Sequence, residues 1–524
     1  MKRLELFLLA IVLLVVSVMF ARFTRVRYFT QALDEAYFLE SIDTTYNTGH
    51  PQTMLTTSVV EALETVIVQP ASTVCEGGLH QRRESASIYE KHAFPILYPL
   101  ALVRFAAGSL TILVLCAVVA FPGLLACVYV VARRFGCPAW LAGVLVLFTA
   151  AHPTWSYAAF GQFYPDKLFP FFCLIYLAML YEYLSGKRSG PWMLIASCLL
   201  AASTSERSAI MLVAATAPAL AWFSWRRGWR KADLVPLALT VSLALYVYGY
   251  MHYVQVNYDY VSFGSSAVSF LKAGLTNLPP ESRKFLAINA VLLLPFSLVG
   301  GIWSVVAAGS ILPNLLGTVG GAEKLGWMTH YHSAYFPFLL FATIVGAATL
   351  YRRSPRIAAI CATLATALAA VFLLLNPISP APLLDLSPRN FHDTALAQMV
   401  DFQLGSGAAD FLRARAKFYQ SVASLIPAES EVSTTEFYMP ALYEHGIHKL
   451  RFYPLGVGKS RYVIVPYLES PTGDITYTGH ISYTQPSVAD ETNHCLTTRL
   501  MATYRVFQRL EEYRGTGTAI LELK

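Results

Sequence analysis

Two adjacent carboxylates, Asp34 and Glu35, open the stretch DEAYFLESID just after the chain's first long apolar run, and Glu40 and Asp43 follow within ten residues. Carboxylates are costly to desolvate, so such a group at a bilayer edge is either a solvated helix start or an acid–base group within reach of a lipid-borne substrate. On a helix, Asp34, Tyr37, Phe38 and Ser41 share a face, whereas Glu35 is turned about 100° away. The two neighbours therefore cannot do the same work.

Other polar residues interrupt apolar sequence where a charge would be expensive. In GQFYPDKLFPF, Tyr164, Asp166 and Lys167 open a hydrophobic run, and the flanking aromatics make this a poor solvent loop. In STSERSAI, Glu206 and Arg207 sit between two apolar runs with no room for a long loop, which predicts a hinge pointing into a cavity. A planar guanidinium there suits phosphate, and an ion pair is the structural alternative. His330, Tyr331 and His332 precede the run in HYHSAYFPFLLF, and Lys91 and His92 begin KHAFPILYPLA. Two histidines can bind a phosphate or sugar hydroxyl but do not make a metal site, and no CxxC or HExxH motif occurs. We therefore assign no metal ligands and expect no cofactor, with a divalent ion left open.

These residues must be positioned by membrane elements. Only 14% of the 524 residues are charged and 55% are hydrophobic, against about 25% charged in soluble domains. Mean hydropathy is +0.48. The apolar residues cluster in runs able to cross a bilayer core of roughly 30 Å. About eleven spans are expected, near 5–22, 109–132, 138–153, 167–184, 191–204, 208–225, 234–254, 285–299, 301–317, 334–350 and 357–375. The first reads as a retained anchor, because no small-residue cleavage site follows it. The basic loops ARRFG (132–136), SGKRSG (185–190), SWRRGWRK (224–231) and YRRSPR (351–356) are separated by even numbers of spans, so all four can lie in the cytoplasm. That parity predicts a cytoplasmic N-terminus and puts segments 23–108 and 376–524 outside. Arg22, Arg25 and Arg27 run against it. The net charge of +7 is explained by such anchoring, with no nucleic-acid partner.

Residues 93–108, broken by Pro95, Pro99 and Arg104, read as an interfacial or re-entrant helix. Beyond a proline-rich linker, FLRARAKFYQSVASLI has helical periodicity, and SEVSTTEF, HKLRFYP and SRYVIVPYL read as strands. The fold class is an all-α polytopic transmembrane bundle over 1–376, including the 23–108 loop, followed by a small extracytoplasmic α/β domain over 377–524. Six cysteines lie in or beside apolar runs, where packing is the default role. Cys75 and Cys495 fall in polar segments and can pair if both face an oxidising compartment.

In order along the chain, the acidic stretch, KHAFPIL, FYPD, TSER, HYHSAYFPFL and the closing IPAESEVSTTEFYMPALYEHGIHKLRFYPLGVGKSRYVIVPYL resemble a family of bacterial multi-pass proteins placed in the GT-C glycosyltransferase superfamily. The resemblance implies a transmembrane bundle in a bacterial plasma membrane, with amphipathic helices in an extracytoplasmic first loop. It also implies transfer of a sugar from a polyprenyl-phosphate donor to a glycan, lipid or protein acceptor. By motif position Asp34 is the implied base, with Glu35 the fallback. Asp166 and the Glu206–Arg207 pair would line the same cavity, while Glu40 and Asp43 become surface or capping acids. TSER lacks the family's usual Lys, and Lys91 stands where an acid is common. Two other classes stay open: a transporter of ions or small solutes, and an inactive carbohydrate-binding scaffold. The polar residues lie near span ends and no repeated halves are visible, which disfavours transport.

Overall fold

The computed structural model describes residues 3–29, 34–55, 85–90, 92–152, 163–187, 190–254, 296–315, 333–374, 402–403, 407–478, 486–513 and 516–524. Packing divides the chain into two units. Met1–Thr24, Tyr89–Ile96 and Val114–Ala409 form the first, and Arg25–Ile88, Leu97–Leu113 and Asp410–Lys524 form the second.

Among the described residues, five helices are long and apolar enough to cross a membrane: Phe7–Tyr28, Ser109–Arg134, Pro165–Leu184, Glu206–Arg227 and Lys231–Tyr253. Shorter apolar helices occupy Ala139–Ala150, Pro191–Ala202, Ile302–Leu312 and Pro355–Ala367. A helix of 12 residues rises only about 18 Å, short of the bilayer core. The expected count of about eleven spans is thus not reached among the described residues, and most of the expected 285–299 span lies outside them.

Within the first unit, Phe336–Arg353 is buried without a break from Phe336 to Ala348, and Phe169–Leu184 is buried on nearly all sides. Helices apolar all round belong at the centre of a bundle. Gly346 permits the closest approach: a Cβ there would lie 1.7 Å from the Phe296 carbonyl oxygen. Pro122 falls inside Ser109–Arg134, where the helix widens to one π turn, Val119–Gly123. That turn accommodates the missing N–H and the ring's clash with the preceding turn.

The four basic loops gather at one end of this unit, together with the start of the first helix. Arg133 Nε lies 2.6 Å from Glu5, and Tyr129 Oη donates to the same carboxylate at 2.7 Å. Arg134 pairs with Glu182, and Arg227 with Asp233 at 2.7 Å. Arg230 donates to the Leu184 carbonyl at 2.8 Å, and the Tyr351 ring packs on Trp140. These contacts form a basic belt at that end.

The second unit contains a two-stranded pair, β1 (Gln52–Thr53) and β2 (Ala86–Ser87). Its main sheet comprises β3 (Glu431–Thr434), β4 (Lys449–Phe452), β5 (Tyr462–Glu469), β6 (Ile475–Tyr477), β7 (Tyr504–Tyr513) and β8 (Thr516–Leu523). The order is β4-β3-β5-β8-β7, with β6 paired to β5. β3 runs parallel to β4 and β5, and β8 antiparallel to β5 and β7. The β-branched run of β5 is central because it can be buried on both faces. Val463 and Val465 pack with Tyr477, Leu496, Leu500 and Leu521. The helices Asp34–Thr48, Leu97–Val103 and Met439–Glu444 pack together in the same unit. Leu102 and Phe105 remain 71% and 80% exposed, as an interfacial segment requires.

Candidate functional site

The first unit builds a polar cluster at the helix ends opposite the basic belt. TSER forms the break between Pro191–Ala202 and Glu206–Arg227, because Ser205 adopts an extended backbone and caps the second helix by accepting from the Ser208 N–H at 3.2 Å. Glu206 occupies the first helical position, where the helix dipole favours a carboxylate. It is 4% exposed yet well satisfied. His92 Nδ1 lies 2.9 Å from Oε1, and the Ala93 N–H donates to Oε2 at 3.0 Å. The Ile96 N–H donates to the Ser203 carbonyl at 2.8 Å. The stretch 92–96 is therefore pinned along the TSER hinge by two bonds from backbone N–H groups and one between side chains.

Arg207 Nε stands 4.0 Å from Glu206 Oε1. Asp166 sits in the 3-10 turn Pro165–Leu168 that leads into Phe169–Leu184, with Lys167 buried beside it. Its carboxylate accepts a hydrogen bond from the Ser205 hydroxyl and lies within electrostatic reach of Arg207, Glu206 and His92. Its residue exposure is 8%, and its Oδ1 accepts no hydrogen bond among the described residues. The tyrosines of Leu234–Tyr253 complete the neighbourhood: Tyr250 Oη donates to the Tyr89 carbonyl at 2.9 Å, and Tyr246 lies within electrostatic reach of Glu206. The cluster thus combines two carboxylates, a guanidinium and an imidazole. Such a set can hold a phosphate and neighbouring hydroxyls.

The acids of the opening stretch belong to the second unit. Asp34 and Glu35 begin the helix Asp34–Thr48, and their side chains lie outside the described residues. Reading Glu40 and Asp43 as surface or capping acids is corrected. Glu40 is 7% exposed and accepts from Thr53 Oγ1, from the Met54 N–H at 2.9 Å and from the Leu55 N–H at 3.2 Å. Burial pushes its carboxyl up to about 7, against the opposing effect of those three donors. Asp43 accepts from Arg104 Nε at 2.5 Å, Ser109 Oγ and Tyr443 Oη at 2.6 Å. Burial and Asp43 together push the Tyr443 phenol well above its usual range. Both acids act as packing knots, invisible to helical periodicity because their donors come from other elements.

Of the residues singled out in the sequence, His92, Asp166, Glu206 and Arg207 are brought together, with Lys167 and Tyr164 on the same turn. Lys91, His330, Tyr331 and His332 lie outside the described residues. Ser205, Tyr246 and Tyr250 were missed; the i, i+4 tyrosine pair in YVYGY carried the signal. Among the described residues, no three His, Cys, Asp or Glu side chains converge as metal ligands. Cys495 is disulfide-bonded. Cys116, Cys127, Cys137, Cys173, Cys198 and Cys361 are free, and Cys75 lies outside the described residues.

No family model and no curated protein matches the chain. Among solved structures it is similar to ArnT from Cupriavidus metallidurans bound to undecaprenyl phosphate, at 12% identity over 98% of this chain and 97% of that one, with a TM-score of 0.48. It is also similar to the Archaeoglobus fulgidus oligosaccharyltransferase in complex with Zn and sulfate, at 11% identity over 92% of this chain and 75% of that one, with a TM-score of 0.43. A third likeness is to the archaeal oligosaccharyltransferase AglB from Archaeoglobus fulgidus in complex with an inhibitory peptide and a dolichol-phosphate, at 10% identity over 97% and 80% of the two chains, with a TM-score of 0.40.

Proposed function

We propose that the protein is an inverting membrane glycosyltransferase that takes a sugar from a polyprenyl-phosphate donor on the membrane face opposite the basic belt. One observation carries this reading: a buried cluster of His92, Asp166, Glu206 and Arg207 at the ends of membrane-length helices. Burying such charges costs several kcal/mol unless they are paired, which makes ionisable groups kept at membrane depth candidates for function. The ordered motifs of the sequence add a second, independent support.

Arg207, Lys167 and His92 would neutralise the donor phosphate, which as a leaving group needs charge compensation more than a proton. The acceptor hydroxyl oxygen attacks the anomeric carbon from the face opposite the phosphate. The bond from that carbon to the phosphate oxygen breaks, and its electron pair leaves with the phosphate. The acceptor's proton passes to a carboxylate, for which the family resemblance puts forward Asp34, with Glu35 as fallback. General base assistance of this kind contributes typically about 10²–10⁴-fold. We place the protein in a bacterial plasma membrane with its N-terminus cytoplasmic and its C-terminal domain outside. The positive-inside rule supports that orientation. The bonded Cys495 supports it further, because disulfides persist in oxidising compartments.

The test is transfer from radiolabelled undecaprenyl-phosphate sugars by the full-length protein in native membranes. Asp34→Asn should lose turnover while keeping donor binding, and retained turnover would sink the base assignment. Solute flux in proteoliposomes without any glycosyl transfer would replace the reading with transport.

A further inference from the structure

Two polar atoms near Glu206 are shielded from solvent and lack partners. Among the described residues, Asp166 Oδ1 accepts no hydrogen bond and Tyr246 Oη makes none. Each lies within electrostatic reach of Glu206. Glu206 itself is occupied by His92 and the Ala93 N–H. Buried polar atoms are nearly always paired, and one left unpaired marks either stored strain or the place of a missing partner. Here the two orphans come from different helices, Pro165–Leu184 and Lys231–Tyr253.

The chemistry of the pair restricts what they can hold. Asp166 Oδ1, as a carboxylate oxygen, needs a donor. Tyr246 Oη can donate and accept. A phosphate offers only acceptors when ionised, so Asp166 repels it. A metal ion would suit Asp166 but gains little from a neutral phenol, and no three ligands converge among the described residues. A hydroxyl both donates and accepts, and so suits either atom.

We propose that Asp166 and Tyr246 form a hydroxyl-recognition subsite that selects the sugar, while Arg207 holds the phosphate. The proposal rests on the glycosyltransferase reading for the phosphate half. Tyr246 is then a specificity-determining residue, whose hydroxyl gains a partner when a sugar hydroxyl arrives.

Two measurements test this on the full-length protein in nanodiscs. The first needs no ligand. Tyr246→Phe removes an unsatisfied buried hydroxyl, so the empty variant should unfold about 1–3 °C higher than the parent. A lower unfolding temperature would mean that the hydroxyl is structurally bonded, and would overturn the proposal. The second measures binding of bare undecaprenyl phosphate and of its glucosyl, galactosyl, mannosyl and arabinosyl esters. Tyr246→Phe and Asp166→Asn should each weaken the best ester about tenfold and leave the bare carrier unchanged. Arg207→Gln should weaken every carrier alike. Equal losses for bare and glycosylated carrier, or no loss in either subsite variant, would overturn the subsite. If the parent binds no carrier, the glycosyltransferase reading fails, while the first measurement still judges whether the hydroxyl is unpaired.

Discussion

Glu206 offers the sharpest test of how the site is assembled, because a single carboxylate holds both the TSER hinge and the KHAFPIL segment. Replacing it with Ala leaves the Ala93 N–H, in a residue only 1% exposed, without its acceptor at 3.0 Å, and His92 without its partner at 2.9 Å. An orphaned buried donor costs about 1–3 kcal/mol, and the lost hydrogen bond between the carboxylate and His92 adds about 1.5–3 kcal/mol. Glu206→Gln retains an acceptor for Ala93 and turns an amide donor toward His92, which can accept in its other tautomer. That variant should lose only about 1–2 kcal/mol. Hydrogen exchange at the backbone amides of Ala93 and Ile96 reads the local opening directly. Glu206→Ala should speed exchange at Ala93 by about 10²–10³-fold, with Ile96 following because its bond to the Ser203 carbonyl belongs to the same docking. Glu206→Gln should change it by about tenfold. If Glu206→Ala alters Ala93 exchange less than about fivefold, the segment is held by something else and the account of the site is wrong.

Four further outcomes are expected. Glu40 ties down residues 53–55, and its carboxyl is raised from 4.5 to about 7. The closed form therefore holds its proton more tightly than the open one. The stabilisation is fully present below pH 4.5 and is lost as pH rises through 7, by about 3 kcal/mol. Exchange at the Met54 and Leu55 amides, corrected for intrinsic rates, should accelerate across that window, and Glu40→Gln should flatten the profile. Tyr443→Phe removes one of three donors to Asp43 and should cost about 1–2 kcal/mol, whereas Asp43→Ala should cost about 3–5 kcal/mol, measured by thermal unfolding of the detergent-solubilised chain. Gly346→Ala places a Cβ 1.7 Å from the Phe296 carbonyl. It should abolish folded protein in membrane extracts, while Ala342→Gly should not. Alkylation without reductant should spare Cys495, and a non-reducing peptide map should join it to the peptide carrying Cys75.

Much of this architecture was legible in one dimension, for a definite physical reason. Apolar runs, basic loops and β-branched strands are local properties. Burial in lipid, anchoring at a charged interface and pairing at the centre of a sheet each select residue types directly. The membrane character, the basic belt and β3 to β5 follow from that. So does the suspicion that Glu206 and Asp166 are special, since charge in apolar sequence is expensive wherever it folds. Partners were not legible. Helical spacing says which residues share a face and nothing about what packs there. Thus Glu40 and Asp43 read as surface acids until Thr53 and Tyr443 met them; Tyr443 lies 400 positions from Asp43, and His92 lies 114 positions from Glu206. The same holds for the 25–88 and 97–113 segments, whose packing with residues 410–524 no local pattern announces. Composition alone determined that charges would gather at helix ends; only tertiary packing decided which carboxylates were satisfied and which, like Asp166, kept an oxygen open.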